Sequence, residues 1–114
     1  MSSPLTTHVL DTARGLPAAG VAVTLSFESA PGTWTREGHG ATDADGRLRT
    51  LLPAGGLRAG AYRIVFDAGA YFAAQGVSSF WREIAIEFVV TDTARHHHVP
   101  LLVSPFGYST YRGS

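Results

Sequence analysis

Two-residue alternation is the pattern that most restricts what this chain can fold into. Residues 20–28 set Val21, Val23, Leu25 and Phe27 against Ala22, Thr24, Ser26 and Glu28. Successive side chains of an extended strand point to opposite faces, so this stretch has one apolar and one polar side and needs a second layer to cover it. The same period returns in residues 61–67, which group Tyr62, Ile64 and Phe66, and in residues 84–91, which group Ile84, Ile86, Phe88 and Val90. Further strands are predicted over 5–12 (LTTHVLDT), 47–52 (RLRTLL), about 97–104 and 107–113, and a polar edge strand over 33–42 (TWTREGHGAT). Turn residues separate them: Gly15 and Pro17, Pro31-Gly32, Asp43-Ala44-Asp45-Gly46, and a glycine-rich loop from Pro53 to Gly60. Residues 68–76 break the alternation, are rich in alanine, and lie between a capping Asp67 and Gly76, which predicts one short helix.

Seven to eight short strands and one helix argue for an all-β, two-sheet sandwich. The 114 residues, 45% of them hydrophobic, suffice for one core, and a single domain over 1–114 is expected. Nine acidic residues balance nine basic ones, which argues against an electrostatic nucleic-acid binder. The chain contains no cysteine, excluding disulfides, thiolate metal sites and cysteine nucleophiles. No apolar run reaches the ~20 residues of a membrane span, and MSSPLTTHVLD lacks the basic and apolar segments of a signal peptide. No membrane association is expected, and a cytoplasmic location is the default.

Three polar clusters could carry chemistry. Thr6-Thr7-His8 lies on the opening strand, with His8 on the face opposite Val9. Alone, a histidine on such an edge is more often simply solvated. Asp45-Gly46-Arg47 reads as a turn followed by a surface arginine. The third cluster is HHHVPLLVSPFGYSTYRGS, residues 96–114. Alternation there puts Val99, Leu101 and Val103 on one face and His96, His98 and Leu102 on the other. Histidines two apart on a strand can share a metal, but no cysteine or well-placed acid completes a ligand set, so no metal is expected. Aromatic and charged residues continue to the last position, so that segment is expected to take part in a site.

Taken together, TTHVLD at 6–11, DGR at 45–47, HxHVPLLVSP at 96–105 and YSTYRGS at 108–114 resemble the 5-hydroxyisourate hydrolases of the transthyretin-like family. The likeness runs from Leu5 to Ser114, and the YRGS ending is what distinguishes these hydrolases from transthyretin, a hormone carrier of the same fold. One departure is His97, where the family often has an aromatic residue; residues 77–83 (VSSFWRE) carry little information.

The resemblance implies a transthyretin-like sandwich that assembles as a homotetramer, with active sites in the channel between two dimers. It implies hydrolysis of 5-hydroxyisourate in urate degradation, without a cofactor. Carried over residue by residue, it makes His8, Arg47 and His98 catalytic and Tyr111, Arg112 and Ser114 substrate-binding, with Gly113 completing the tetrapeptide. His98 is expected to activate water with His8 assisting, and Arg47 to stabilise the developing oxyanion. The alternative is a non-enzymatic carrier of a small aromatic ligand.

Overall fold

The computed structural model describes residues 3–114. Its strands are β1 (Leu5–Asp11), β2 (Leu16–Pro17), β3 (Ala22–Ala30), β4 (Thr33–Ala41), β5 (Arg47–Leu48), β6 (Gly60–Phe66), β7 (Ile84–Val90), β8 (His97–Ser104) and β9 (Gly107–Thr110), with helix α1 (Ala68–Ala73) between β6 and β7. They form two sheets, the expected sandwich. One has the order β4-β3-β6-β7 and is wholly antiparallel. The other has the order β2-β1-β8-β9, with β5 added beside β1. Strands β1 and β8 run parallel, pairing Leu5 with His97 through to Asp11 with Val103. The two short strands share the outer edge of β1: β5 lies beside Thr7 and His8, and β2 beside Leu10 and Asp11.

Alternation places the apolar faces inward. Val23, Leu25 and Phe27 of β3, Tyr62, Ile64 and Phe66 of β6, and Ile84 and Val90 of β7 meet Leu5 and Val9 of β1 and Val99, Leu101 and Val103 of β8. Full burial of one such side chain contributes ~1.5–3 kcal/mol. Tyr62 has no exposed surface; its ring stacks on Phe88 and meets Phe27 edge-on, and its hydroxyl accepts from the Arg58 amide. Strand β4 is polar and lies at an edge, as its composition predicts, with His39 exposed. The strand expected over 47–52 is only two residues long. Leu51 and Leu52 are both buried, which an alternating strand facing one core cannot achieve, so the backbone leaves the sheet after Leu48. The last strand also ends early, at Thr110; beyond it a single bridge joins Gly113 to His98.

Helix α1 forms where Asp67 caps it, the carboxylate accepting from the Ala70 amide at 3.1 Å. Its exit closes at Gly76, which adopts φ +70°: the Gly76 amide donates to Ala73 and the Val77 amide to Phe72. Tyr71 and Phe72 pack from the helix into the core. The Tyr71 hydroxyl donates to buried Asp11 at 2.8 Å, while the other Asp11 oxygen accepts from the Ala13 and Arg14 amides. Among the described residues, no helix is long and apolar enough to cross a membrane.

Candidate active site

The outward face of the β1–β8 sheet carries the candidate residues. Thr6 and His8 alternate outward on β1, and His98 does so on β8, directly beside Thr6 in the parallel register. The Thr6 hydroxyl lies 2.8 Å from His98 Nδ1 and 2.9 Å from His96 Nε2. It is the common partner of both rings. His96 is exposed, His98 is half-buried and Thr6 is buried.

Arg47 reaches the same face through the turn before β5. Gly46 has φ +76°, and a Cβ there would sit 2.4 Å from the Val9 carbonyl oxygen. The turn therefore requires glycine on both counts. Asp43 holds the turn by accepting from the Asp45 and Arg47 amides, and these bonds, that to Arg47 foremost, keep its carboxyl below the usual range. Strand β5 then sets Arg47 opposite His8. Among the described residues the Arg47 guanidinium enters no salt bridge, whereas Arg49 pairs with Asp43 at 3.6 Å. A half-buried cation with no carboxylate of its own is available to an anionic or carbonyl ligand. His8 is half-buried, and its Nε2 donates to the Asp45 carbonyl at 2.9 Å, leaving Nδ1 as the acceptor nitrogen of the neutral ring.

Arg47, His98 and Ser114 line one cavity of about 190 Å³ together with Thr6, Thr7, Arg49 and His96. Tyr111 and Arg112 instead line a second cavity of about 260 Å³ with Ile86, Phe88, Val89 and Thr110, and His98 borders both. His8 lines neither and stands at the margin of the first, across the strand pair from Arg47. Gly113 closes over His98: its amide donates to the His98 carbonyl at 2.8 Å, and a Cβ on it would come within 2.5 Å of the imidazole Cδ2. His97 is absent from the first cavity but lines the second. It is buried on the inner side, and its Nδ1 donates to the Arg95 carbonyl.

The electrostatics of His98 suit a base. Burial lowers its pKa from the ordinary 6.5, and the charges of Arg47, His8 and His96 lower it further, against a smaller opposing effect from Thr6. The ring is therefore neutral at neutral pH and keeps a lone pair to accept a proton. Thr7, Arg49 and His96 belong to the cavity although nothing in their spacing alone marks them out. The one available signal is that His96 shares the face of His98.

The HIUase/Transthyretin family model matches residues 5–113. The chain belongs to the HIUase/transthyretin family. Within that family it is 45% identical to a 5-hydroxyisourate hydrolase of Salmonella typhi, covering 99% of this chain and 82% of the relative. The solved 5-hydroxyisourate hydrolase of Klebsiella pneumoniae superposes with a TM-score of 0.86 at 41% identity, covering all of both chains. Sea bream transthyretin in complex with thyroxine superposes with a TM-score of 0.91 at 37% identity, covering 96% of this chain and 94% of the other. The transthyretin-like sandwich is thus common to hydrolase and hormone-binding members, and the fold does not choose between them.

Proposed function

We propose that this chain hydrolyses 5-hydroxyisourate to 2-oxo-4-hydroxy-4-carboxy-5-ureidoimidazoline in urate degradation. The observation that carries the reading is the neutral, hydrogen-bonded His98 sharing one cavity with Arg47 and Ser114. The hydrolases among the relatives support it, at higher identity than the hormone-binding neighbour.

The reaction opens a six-membered ring at an amide-type bond. Water is a weak nucleophile, and a base that stays unprotonated near neutral pH activates it. His98 is that base: its Nδ1 is held by Thr6, which leaves Nε2 as the nitrogen free to take the proton. His8, whose Nε2 is committed to the Asp45 carbonyl, assists from the margin through its second nitrogen. Attack builds negative charge on the carbonyl oxygen. The Arg47 guanidinium offers a planar fork of donors to that oxygen, with no carboxylate among the described residues paired to it. Ser114 binds the substrate ring within the same cavity, and Tyr111 and Arg112 close over it from the second cavity across His98.

The proposed enzyme is a single domain and a homotetramer, with its sites at the interface between dimers, and is cytoplasmic. Strands β7 and β9 are edges of their sheets, and Val89 and Tyr108 on them are exposed, so pairing with a second copy would cover both. A carrier of a small aromatic ligand is the second reading, favoured by the high structural likeness to the thyroxine-bound neighbour. The cavity argues against it, since two arginines and two histidines are a poor lining for an apolar ligand. The deciding experiment is a spectroscopic assay on freshly generated 5-hydroxyisourate against its spontaneous decay. Acceleration that is abolished in His98→Ala supports the enzyme; decay at the spontaneous rate, with tight binding of an aromatic ligand, supports the carrier.

A further inference from the structure

We propose that Thr6 and His96 form a proton relay behind His98, drawing the charge of the proton that His98 takes from water out onto His96 at the solvent edge. The inference rests on the reading of His98 as the general base. Its starting point is the pair of contacts to one oxygen: Thr6 Oγ1 lies 2.8 Å from His98 Nδ1 and 2.9 Å from His96 Nε2. A hydroxyl has one proton to give. It can donate to one ring only, and the other ring must then donate to it. The two neutral imidazoles are thus locked into opposite hydrogen-bond roles at Thr6, which, since one presents Nδ1 and the other Nε2, gives both rings the same tautomer.

In the first state, His98 Nδ1–H donates to Thr6, and Thr6 donates to His96 Nε2. His98 Nε2 is then bare, as a base requires. In the second, the direction is reversed and His98 Nε2 carries the proton. Passing from the first to the second moves one proton along the chain. Water gives a proton to His98 Nε2, His98 Nδ1–H passes to Thr6 Oγ1, and the Thr6 proton passes to His96 Nε2. His98 ends neutral and the positive charge rests on His96. The hydroxide has meanwhile bonded to the carbonyl carbon. When the carbon–nitrogen bond breaks, His98 Nε2–H can protonate the leaving nitrogen as the chain runs back. Ionisation of the new carboxyl group then sends one net proton out by the same route.

Burial and charge favour this path. Arg47, His8 and His96 all face His98, with Arg49 lining the same cavity and Arg112 the adjoining one. A cation held on His98 would lie beside the Arg47, Arg49 and Arg112 guanidinium groups. A cation on exposed His96 is hydrated and open to exchange with solvent. Thr6 itself is buried, so water cannot readily replace the bridge. Thr6 and His96 are therefore positioning and relay residues; the catalytic base remains His98.

The test uses the full chain and its His96→Ala, Thr6→Val and Thr6→Ser variants, with turnover measured in dilute buffer and with increasing imidazole. His96→Ala is expected to turn over on the order of 10²-fold more slowly, with KM little changed, and to recover saturably as imidazole replaces the lost acceptor. Wild type should be indifferent to imidazole. Thr6→Val should be slow and not rescued, and Thr6→Ser should restore most of the rate. Wild-type turnover by His96→Ala in dilute buffer, or a loss that no imidazole restores, overturns the relay. If wild type itself does not accelerate substrate decay, the functional reading fails. The linkage is then decided by ¹⁵N spectra of the two rings: the same tautomer in both, Nδ1–H or Nε2–H, that uncouples in Thr6→Val supports it, and opposite tautomers overturn it.

Discussion

Replacing Gly113 with alanine should disable the site while leaving the fold standing. Gly113 does not occupy the left-handed region, so what it supplies is space rather than backbone freedom. An added Cβ would lie 2.5 Å from His98 Cδ2 and 3.1 Å from His98 Cβ and Cγ. Carbon atoms prefer separations of about 3.5–4.0 Å, so the ring must retreat by ~1 Å. The backbone cannot easily give instead, because the Gly113 amide is bonded to the His98 carbonyl at 2.8 Å. The ring is tethered to Thr6 at 2.8 Å, and a retreat away from it would stretch that bond beyond the ~3.5 Å at which it ceases to count. A misplacement of ~1 Å can cost on the order of 10²-fold in rate. We therefore expect kcat/KM to fall about 10²-fold, or ~2.7 kcal/mol of transition-state stabilisation. Stability should change little, since Gly113 packs at the periphery and outside the buried core. Initial rates on freshly generated substrate, corrected for spontaneous decay, give the first quantity, and thermal unfolding gives the second. Full activity in Gly113→Ala, or a loss of activity matched by a loss of folding, would refute the reasoning.

Four other outcomes follow from the geometry. Since His98 must be neutral to accept a proton and its pKa lies below 6.5, activity should persist above that range and fall as pH drops through the lowered value. A pH–rate profile with its acidic limb centred above 6.5 would contradict this, and His98→Gln should remove the limb together with most of the activity. The folded state binds this proton less readily than the unfolded chain, so the same group withdraws stability as pH falls from the ordinary histidine value toward the lowered one, which pH-dependent urea unfolding would register. Arg47→Ala should lower kcat by about 10²–10³-fold through loss of oxyanion stabilisation, with Arg47→Lys recovering only part because the planar fork is gone; equal rates for wild type and Arg47→Ala would remove Arg47 from the mechanism. Tyr71→Phe leaves one oxygen of buried Asp11 without its hydroxyl donor and should cost about 1.5–3 kcal/mol of stability with unchanged kcat, as read from the urea midpoint.

Most of the strands were legible in the sequence because alternation reports burial directly. Tyr62, Ile64 and Phe66 recur at two-residue spacing and are all fully buried. The helix was legible from its ends, Asp67 and Gly76, whose hydrogen bonds are local. Residues 47–52 misled because the alternation runs only to Thr50; Leu51 and Leu52 are adjacent, and both fill the core after the chain has left the sheet. The candidate residues His8, Arg47 and His98 could be named from motifs, but their mutual placement could not. Backbone pairing leaves no mark on residue identity, so nothing in the sequence says that β1 lies parallel to β8 in the register that sets Thr6 beside His98. Thr6 consequently read as a mere neighbour of His8, and His96 had no role. The separation of Tyr111 and Arg112 from Ser114 was hidden for the same reason: the chain turns back at the Gly113 bridge, a contact with no sequence signature.

The parallel pairing of β1 with β8 also dictates when, during synthesis, the protein can become competent. Thr6 and His98 are 92 residues apart in sequence. A nascent chain on the ribosome can build the β3–β4 hairpin and the β5 turn early, bringing His8 and Arg47 together. It has no base, no bridge and no second wall for the cavity until residues 96–114 emerge from the exit tunnel. Until then β1 waits with the edge that β8 will occupy unpaired. That interval is when an incomplete chain is most open to chaperones, to proteases and to pairing with its neighbours on a polysome.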